Sequence, residues 1–205
     1  MLYDTFLFDV LDNDGALTKM LQVVLNENIS IKYLRTLNEY HPRSAVHSVR
    51  VAVLSGVLAQ GLGFSDSNVR TSILTGLLHD IGKLDIDLNI LNKPNTLTRQ
   101  ELASIKMHPI HSFIRLKSED VSDVVRYGVL MHHERLDGKG YPLNLPEGAI
   151  NFCSRIVAIS DVFEALTAKR AYKDGYTVSD SMEIMTQDKG HFDAVFLDYF
   201  KHCIK

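Results

Sequence analysis

The run Arg43-Ser44-Ala45-Val46-His47-Ser48-Val49-Arg50-Val51-Ala52-Val53-Leu54-Ser55-Gly56-Val57-Leu58-Ala59-Gln60-Gly61-Leu62 sets the architecture of this chain. Val46, Val49, Val53 and Val57 recur on one helical face, while His47, Val51, Leu54 and Leu58 recur on another. A helix with apolar residues on two faces is covered from two sides, so this segment reads as the central, buried helix of an all-α domain. Ala52, Ser55 and Gly56 are small enough for a neighbouring helix to approach closely. Pro42 suits the start of the run, and Gly61 and Gly63 end it. His47 stands out as a titratable group among apolar neighbours.

The same period continues on both sides of this segment. Residues 16–27 (Leu17, Met20, Leu21, Val24) form an amphipathic stripe after the Asp12-Asn13-Asp14-Gly15 turn, and a second short helix fits 30–39. Ser65 and Asp66 open a helix that runs through Ile73, Leu74, Leu77 and Leu78 to His79-Asp80-Ile81-Gly82-Lys83. Thr98-Arg99-Gln100-Glu101 has the spacing of a capping box. Its helix reaches His108-Pro109, where proline favours a break and a new start. Val121, Val125, Gly128, Val129 and His132 share one face of a further helix. Residues 143–151 read as a loop, 152–168 as an apolar helix containing Asp161, and 177–187 and 191–202 as two shorter helices. No clear alternating strand emerges, although a hairpin near 84–92 is compatible with the pattern.

Composition narrows the class of protein. The 205 residues suffice for one domain with a real core, read as a helical extension (1–40) and a main unit (41–205) in a single compact body. Lys and Arg total 22 against 25 Asp and Glu, a net charge of −3, which gives no overall basic surface for a nucleic acid polymer. No apolar run approaches the roughly 18 residues that span a bilayer. Residues Met1 to Asp14 carry four acidic side chains and no basic one, unlike a signal peptide. Cys153 and Cys203 do not suggest a disulfide framework, and the expected setting is a reducing cytoplasm. The nine histidines are the unusual feature.

Six positions on separate helical segments carry candidate metal ligands: His47, His79, Asp80, His108, the pair His132/His133, and Asp161. Any one of them alone reads more simply as a satisfied core residue. Together, this many buried imidazoles and carboxylates without partners would cost several kcal/mol each, and metal coordination accounts for all of them at once. His132-His133-Glu134-Arg135-Leu136-Asp137-Gly138-Lys139-Gly140-Tyr141-Pro142 joins two such ligands to a glycine-rich turn. Adjacent helical residues point about 100° apart, so both imidazoles reach one metal only from a protruding helix end. Glu134 and Asp137 read as acceptors that organise the loop.

At this point a family resemblance becomes specific. His79-Asp80-Ile81-Gly82-Lys83 resembles the H-D-x-G-K signature of HD-superfamily metal hydrolases. The His132–Pro142 stretch resembles the H-H-E-x-x-D-G-x-G-Y-P signature of the HD-GYP subfamily, which hydrolyses cyclic di-GMP. Asp161-Val162-Phe163-Glu164-Ala165-Leu166-Thr167, followed by Arg170 and Tyr172, resembles its third block. His47 and His108 fall where the family places two further histidines. The likeness covers about residues 43–175 in order. It implies an HD-type helical bundle with a metal site between the central helices, and His47, His79, Asp80, His108, His132, His133 and Asp161 as metal ligands. Asp80 would bridge two divalent ions, Fe or Mn foremost, with Zn, Ni or Co acceptable to such ligands. His47, His79 and Asp161 would complete one coordination sphere, and His108, His132 and His133 the other. A bridging hydroxide between two such metals can attack a phosphodiester, here giving linear pGpG or GMP.

The resemblance also implies roles around the metals. Asp80 and Lys83 would be catalytic, Lys83 through phosphate charge or the leaving oxygen. Lys83, Tyr141, Arg170 and Lys173 would contact the cyclic dinucleotide. Gly138 to Pro142 would shape the site or dock a partner protein, and regulation would come through such a partner or a homodimer. One departure stands out: where some members carry a metal-ligating glutamate four residues before the first ligand histidine, this chain has Arg43, which favours two metals over three. Two rival readings remain. One is a catalytically weak regulatory or binding module with the ligands intact; the other is an HD hydrolase of another cyclic dinucleotide or nucleotide. His111 shares a face with His108 and is a weaker outer candidate, while His41, His191 and His202 read as surface or packing residues.

Overall fold

A computed structural model describes residues 14–168 and 175–204. Among the described residues the chain is helical with no strand. Helix α1 (Gly15–Leu25) is capped by Asp14, whose carboxylate accepts from the Ala16 and Leu17 amides. Helix α2 (Asn28–Tyr40) leads through His41 into α3 (Pro42–Gly61), and Ser65 caps α4 (Asp66–Leu78). A 3₁₀ turn (Ile81–Asp85) and the single turn α5 (Leu88–Leu91) follow, so the hairpin compatible with 84–92 is replaced by short helical turns. Asp87 caps α5 by accepting from Asn89, and this local bond favours a turn over an extended strand. Helix α6 (Arg99–Ile105) begins at the complete Thr98/Glu101 capping box. Helices α7 (His108–Leu116), α8 (Asp123–Met131), α9 (Phe152–Thr167), α10 (Val178–Gln187) and α11 (Ala194–Cys203) complete the order.

Helix α3 is the axis of the bundle. It packs along α4, and α9 crosses both as well as α8. Close approach of α3 and α4 follows from small residues: a Cβ on Gly76 would lie 3.0 Å from the Ala52 Cα and from the Ser55 Oγ. Val53, Leu54 and Leu58 of α3, Ile73, Leu77 and Leu78 of α4, and Ile156, Ile159 and Phe163 of α9 are all buried in one core. Leu17, Leu21, Val24 and Tyr33 from α1 and α2 belong to that same core, so residues 14–40 pack as part of the bundle. Phe163 meets Phe200 of α11 edge to face at 5.0 Å. No described helix is long and apolar enough to cross a membrane.

Candidate metal centre

The first donors stand at helix ends. Helix α4 stops at Leu78, and the chain tightens at once into the 3₁₀ turn instead of continuing as α-helix through Lys83. His79 and Asp80 are therefore presented at the end of a rigid element, each about 1% exposed. Ser112 of α7 secures the turn: its hydroxyl accepts from the Gly82 amide at 2.8 Å and donates to the His79 carbonyl at 2.8 Å. Gly82 is required there, because a Cβ would lie 2.1 Å from the His108 carbonyl oxygen and 2.5 Å from the Ser112 nitrogen. The helix break at Pro109 has a matching purpose, since α6 ends at Ile105 and His108 opens α7 facing Asp80.

His132 caps the C-terminus of α8, which is the protruding end that two adjacent histidines need. The turn beyond it is held from within. Buried Glu134 accepts from the Leu143 and Leu145 amides at 2.6 and 3.0 Å. Gly140 passes so close to the preceding strand of loop that a Cβ would meet the Glu134 Cα at 2.4 Å. The Tyr141–Pro142 peptide is cis. Tyr141 stacks on the His133 ring at 4.6 Å, with the Lys106 ammonium 5.0 Å from the tyrosine centroid. Its ring is turned toward the metal-ligand candidates.

The structure brings all seven predicted donors together. His47, His79 and Asp80 form one mutually close group, and His108, His132 and His133 another. His79, His132 and Asp161 form a third, linking the first two. Asp80 faces both halves: Oδ2 lies 3.6 Å from His47 Nε2 and 3.5 Å from His79 Nε2, while Oδ1 lies 3.3 Å from His108 Nε2. Asp161 Oδ1 is 3.0 Å from His47 Nε2. Lys83 Nζ rests 2.5 Å from Asp80 Oδ2.

These donors fit a cation on chemical grounds. His79, His108 and His132 each direct Nδ1 at a carbonyl three residues earlier (Gly76, Ile105 and Val129), in each case at 2.7 Å. A carbonyl only accepts, so each Nδ1 carries the proton and each Nε2 presents a lone pair to the centre. His108 and His132 bring their Nε2 atoms to 3.2 Å. Two lone pairs at that distance repel unless a positive charge lies beside them. Burial lowers the pKa of His108 to about 3 and of His133 to about 4, and lowers those of His79 and His132, so all four are neutral and able to ligate.

His47 differs. Burial pulls its pKa down, but hydrogen bonds to Asp161 and Glu164 outweigh that and raise it to about 10. A proton and a divalent ion would compete for the same Nε2 lone pair. Burial alone would raise the pKa of Asp80, but Lys83 and the surrounding imidazoles hold it well below the ordinary carboxylate value. Asp161 is lowered likewise, chiefly by the hydrogen bond from His47 acting against burial. Both carboxylates are charged.

Sequence reasoning gave no role to Glu164, which is buried and lies 2.6 Å from His47 Nδ1 through Oε2. The available signal was its place three residues after Asp161, on the same face of α9. Arg50 also approaches Glu164, at 3.4 Å. The remaining histidines stand apart from the cluster. His41 is buried with Nδ1 on the Ser44 hydroxyl, His191 contacts Asp188, and His202 caps a carbonyl at the surface. His111 packs beside Gly82 with a buried Nδ1 that has no hydrogen-bond partner among the described residues. Arg155 reaches Asp193 at 3.0 Å. Arg170 and Lys173 lie outside the described residues.

A cavity of about 530 Å³ opens onto the donors, with Asp80, His108, His133 and Asp161 at its floor and Tyr141, Val162, Leu166 and Tyr176 on its walls. A helical bundle whose buried imidazoles and carboxylates converge beneath a cleft is the class of helical metal-site proteins. The HD domain family model matches residues 33–195, and this chain belongs to that family. It is 40% identical over 178 residues to a cyclic di-GMP phosphodiesterase of Pseudomonas aeruginosa, covering 86% of this chain and 42% of the relative. It is 41% identical over 154 residues to a 3′3′-cGAMP-specific phosphodiesterase of Vibrio cholerae, covering 74% of this chain and 36% of the relative. The chain thus spans less than half the length of these curated relatives. Among solved structures, an HDGYP protein from Bdellovibrio bacteriovorus shares the fold with a TM-score of 0.66 at 20% identity, covering 96% of this chain and 67% of that one.

Proposed function

We propose that this protein is a metal-dependent phosphodiesterase that hydrolyses cyclic di-GMP to linear pGpG, GMP or both at a two-metal centre. The observation that carries the reading is the convergence of seven donors beneath a cleft, with the two oxygens of Asp80 addressed to opposite halves. His47, His79, Asp161 and Asp80 would hold one ion, and His108, His132, His133 and Asp80 the other. His132 lies close to donors of both halves. Divalent iron or manganese suits this mixed nitrogen and oxygen set, and zinc, nickel or cobalt is compatible with it. When bound, such ions supply Lewis acidity toward a phosphate oxygen and activate water at neutral pH.

The protein groups do the positioning. Asp80 and Asp161 fix the ligand geometry, and the carbonyl-anchored imidazoles hold their lone pairs toward the centre. Lys83 carries its positive charge at the cavity wall, where it would meet a phosphate oxygen or the departing 3′-oxygen. The apolar wall of Val162, Leu166 and Tyr176 suits a nucleobase and keeps water from the reacting phosphate. Hydrolysis adds water across one P–O bond: the phosphorus gains the hydroxyl, and the 3′-oxygen leaves with a proton.

The test is turnover by protein loaded anaerobically with Mn or reduced Fe, read by chromatography of cyclic di-GMP and its products. His79→Ala and Asp80→Ala should abolish it. Intact substrate with wild-type protein in both metals would overturn the reading. Because one relative is named for 3′3′-cGAMP, that nucleotide belongs in the same panel, and preferential turnover of it would reassign the substrate within the same chemistry.

A further inference from the structure

Beside the cleft over the donors lies a second cavity of about 520 Å³. The two share Lys83, Ile105, Asp161, Ala165 and Ala168, so they adjoin along one wall at the edge of the metal-ligand cluster. Their linings differ. The first is walled by aromatic and aliphatic side chains, whereas the second is lined by Arg43 and Arg50 at the α3 side.

Among the described residues, the charges around the second cavity pair off, with one exception. Arg50 faces Glu164 at 3.4 Å, Asp161 faces His47 at 3.0 Å, and Lys83 faces Asp80 at 2.5 Å. Arg43 makes no hydrogen bond or ion pair among the described residues, and it is exposed to the cavity. It also stands in the first turn of the 20-residue helix α3, which has no acidic residue there and no side-chain cap. The positive end of a helix disfavours a cation and attracts an anion. Arg43 is therefore in an electrostatically unfavourable place that a bound anion would relieve.

We infer that Arg43 and the cavity it lines form a second phosphate subsite, occupied by the phosphate of the dinucleotide that is not on the metals. This rests on the reading of the centre as a cyclic dinucleotide phosphodiesterase. Such a ligand carries two phosphates in one small ring, so when one sits over the donors the other must lie nearby, across the shared wall. After the first cleavage the ring is open and one phosphate is terminal. The subsite then holds that 5′-phosphate while the remaining ester lies over the donors. A guanidinium provides two parallel N–H donors for its oxygens.

The test compares affinities of metal-free protein for pGpG and for GpG, which lacks the terminal phosphate, by equilibrium dialysis of labelled ligand. Contacts common to both ligands cancel in the ratio. Wild-type protein should favour pGpG by about tenfold, the factor one charge-assisted contact gives. Arg43→Ala should bring the ratio close to one, Arg43→Lys should keep part of it, and Arg99→Ala, at a position that does not line the cavity, should keep all of it. A wild-type ratio near one, or an Arg43→Ala ratio equal to wild type, overturns the inference. Turnover of cyclic di-GMP by Mn-loaded wild type is read in parallel: its failure removes the hydrolase reading, while the ratio alone judges Arg43.

Discussion

Glu164 shows how one carboxylate governs another residue's chemistry. His47 differs from the other imidazoles of the centre in that its Nδ1 partner is a carboxylate, at 2.6 Å, where His79, His108 and His132 have carbonyls. A carboxylate makes the imidazole a stronger base, and hence a stronger ligand, while fixing its tautomer. Glu164→Gln keeps the shape and removes the charge. It should weaken metal affinity by about 10–100-fold, the range seen when such supporting groups are lost. Competition against a fluorescent chelator measures this, and an unchanged affinity would mean that Asp161 alone orients His47. The role was not legible in the sequence. Glu164 lies 117 residues from His47 along the chain, and only the crossing of α9 over α3 brings them together.

At the level of helices most of the architecture could be read in advance, because the 3.6-residue period registers which face of each segment is covered. The stripes of 43–62 and 152–168 correspond to α3 and α9 within a residue or two, whereas the helix expected from Asp66 to Lys83 stops at Leu78. Two features escaped that period. The 3₁₀ turn after Leu78 depends on the tertiary bond network of Ser112, and the short turn α5 depends on an aspartate cap. Periodicity cannot see either. Gly82 is where this matters most, since α7 presses its first turn against that backbone. Gly82→Ala places a Cβ against backbone atoms that cannot rotate away, so α7 must shift and carry His108 with it. Overpacking of this kind costs about 1–3 kcal/mol or more, roughly a 5 °C fall in melting temperature for a chain of this size. The variant should also bind less metal per chain by elemental analysis. A melting temperature and metal content equal to wild type would show that the turn and α7 are not rigidly coupled.

The bundle as a whole buries its charged centre under a single core, which ties global stability to the protonation of that centre. In metal-stripped protein the linkage has two arms of opposite sign. His108 and His133 have folded pKa values of about 3 and about 4, below the ordinary 6.5, so between those values and 6.5 the unfolded chain binds more protons. Their contribution is complete above 6.5 and is lost as pH falls toward 4 and 3. His47 has its folded pKa raised to about 10, so its contribution is complete below 6.5 and is lost as pH rises toward 10. The melting temperature of metal-stripped protein should therefore peak between these arms, near pH 6.5, and fall on both sides. Metal binds the folded state and adds stability by mass action, about 4 kcal/mol at a thousandfold excess over the dissociation constant. It also displaces the proton from His47, so the loaded protein should lose the alkaline decline between pH 7 and 9 while keeping the acid one, where protons compete for the imidazoles. Differential scanning fluorimetry across pH 4–9, with and without Mn, reads both curves. An alkaline decline of equal slope in the two would separate His47 from the metal centre.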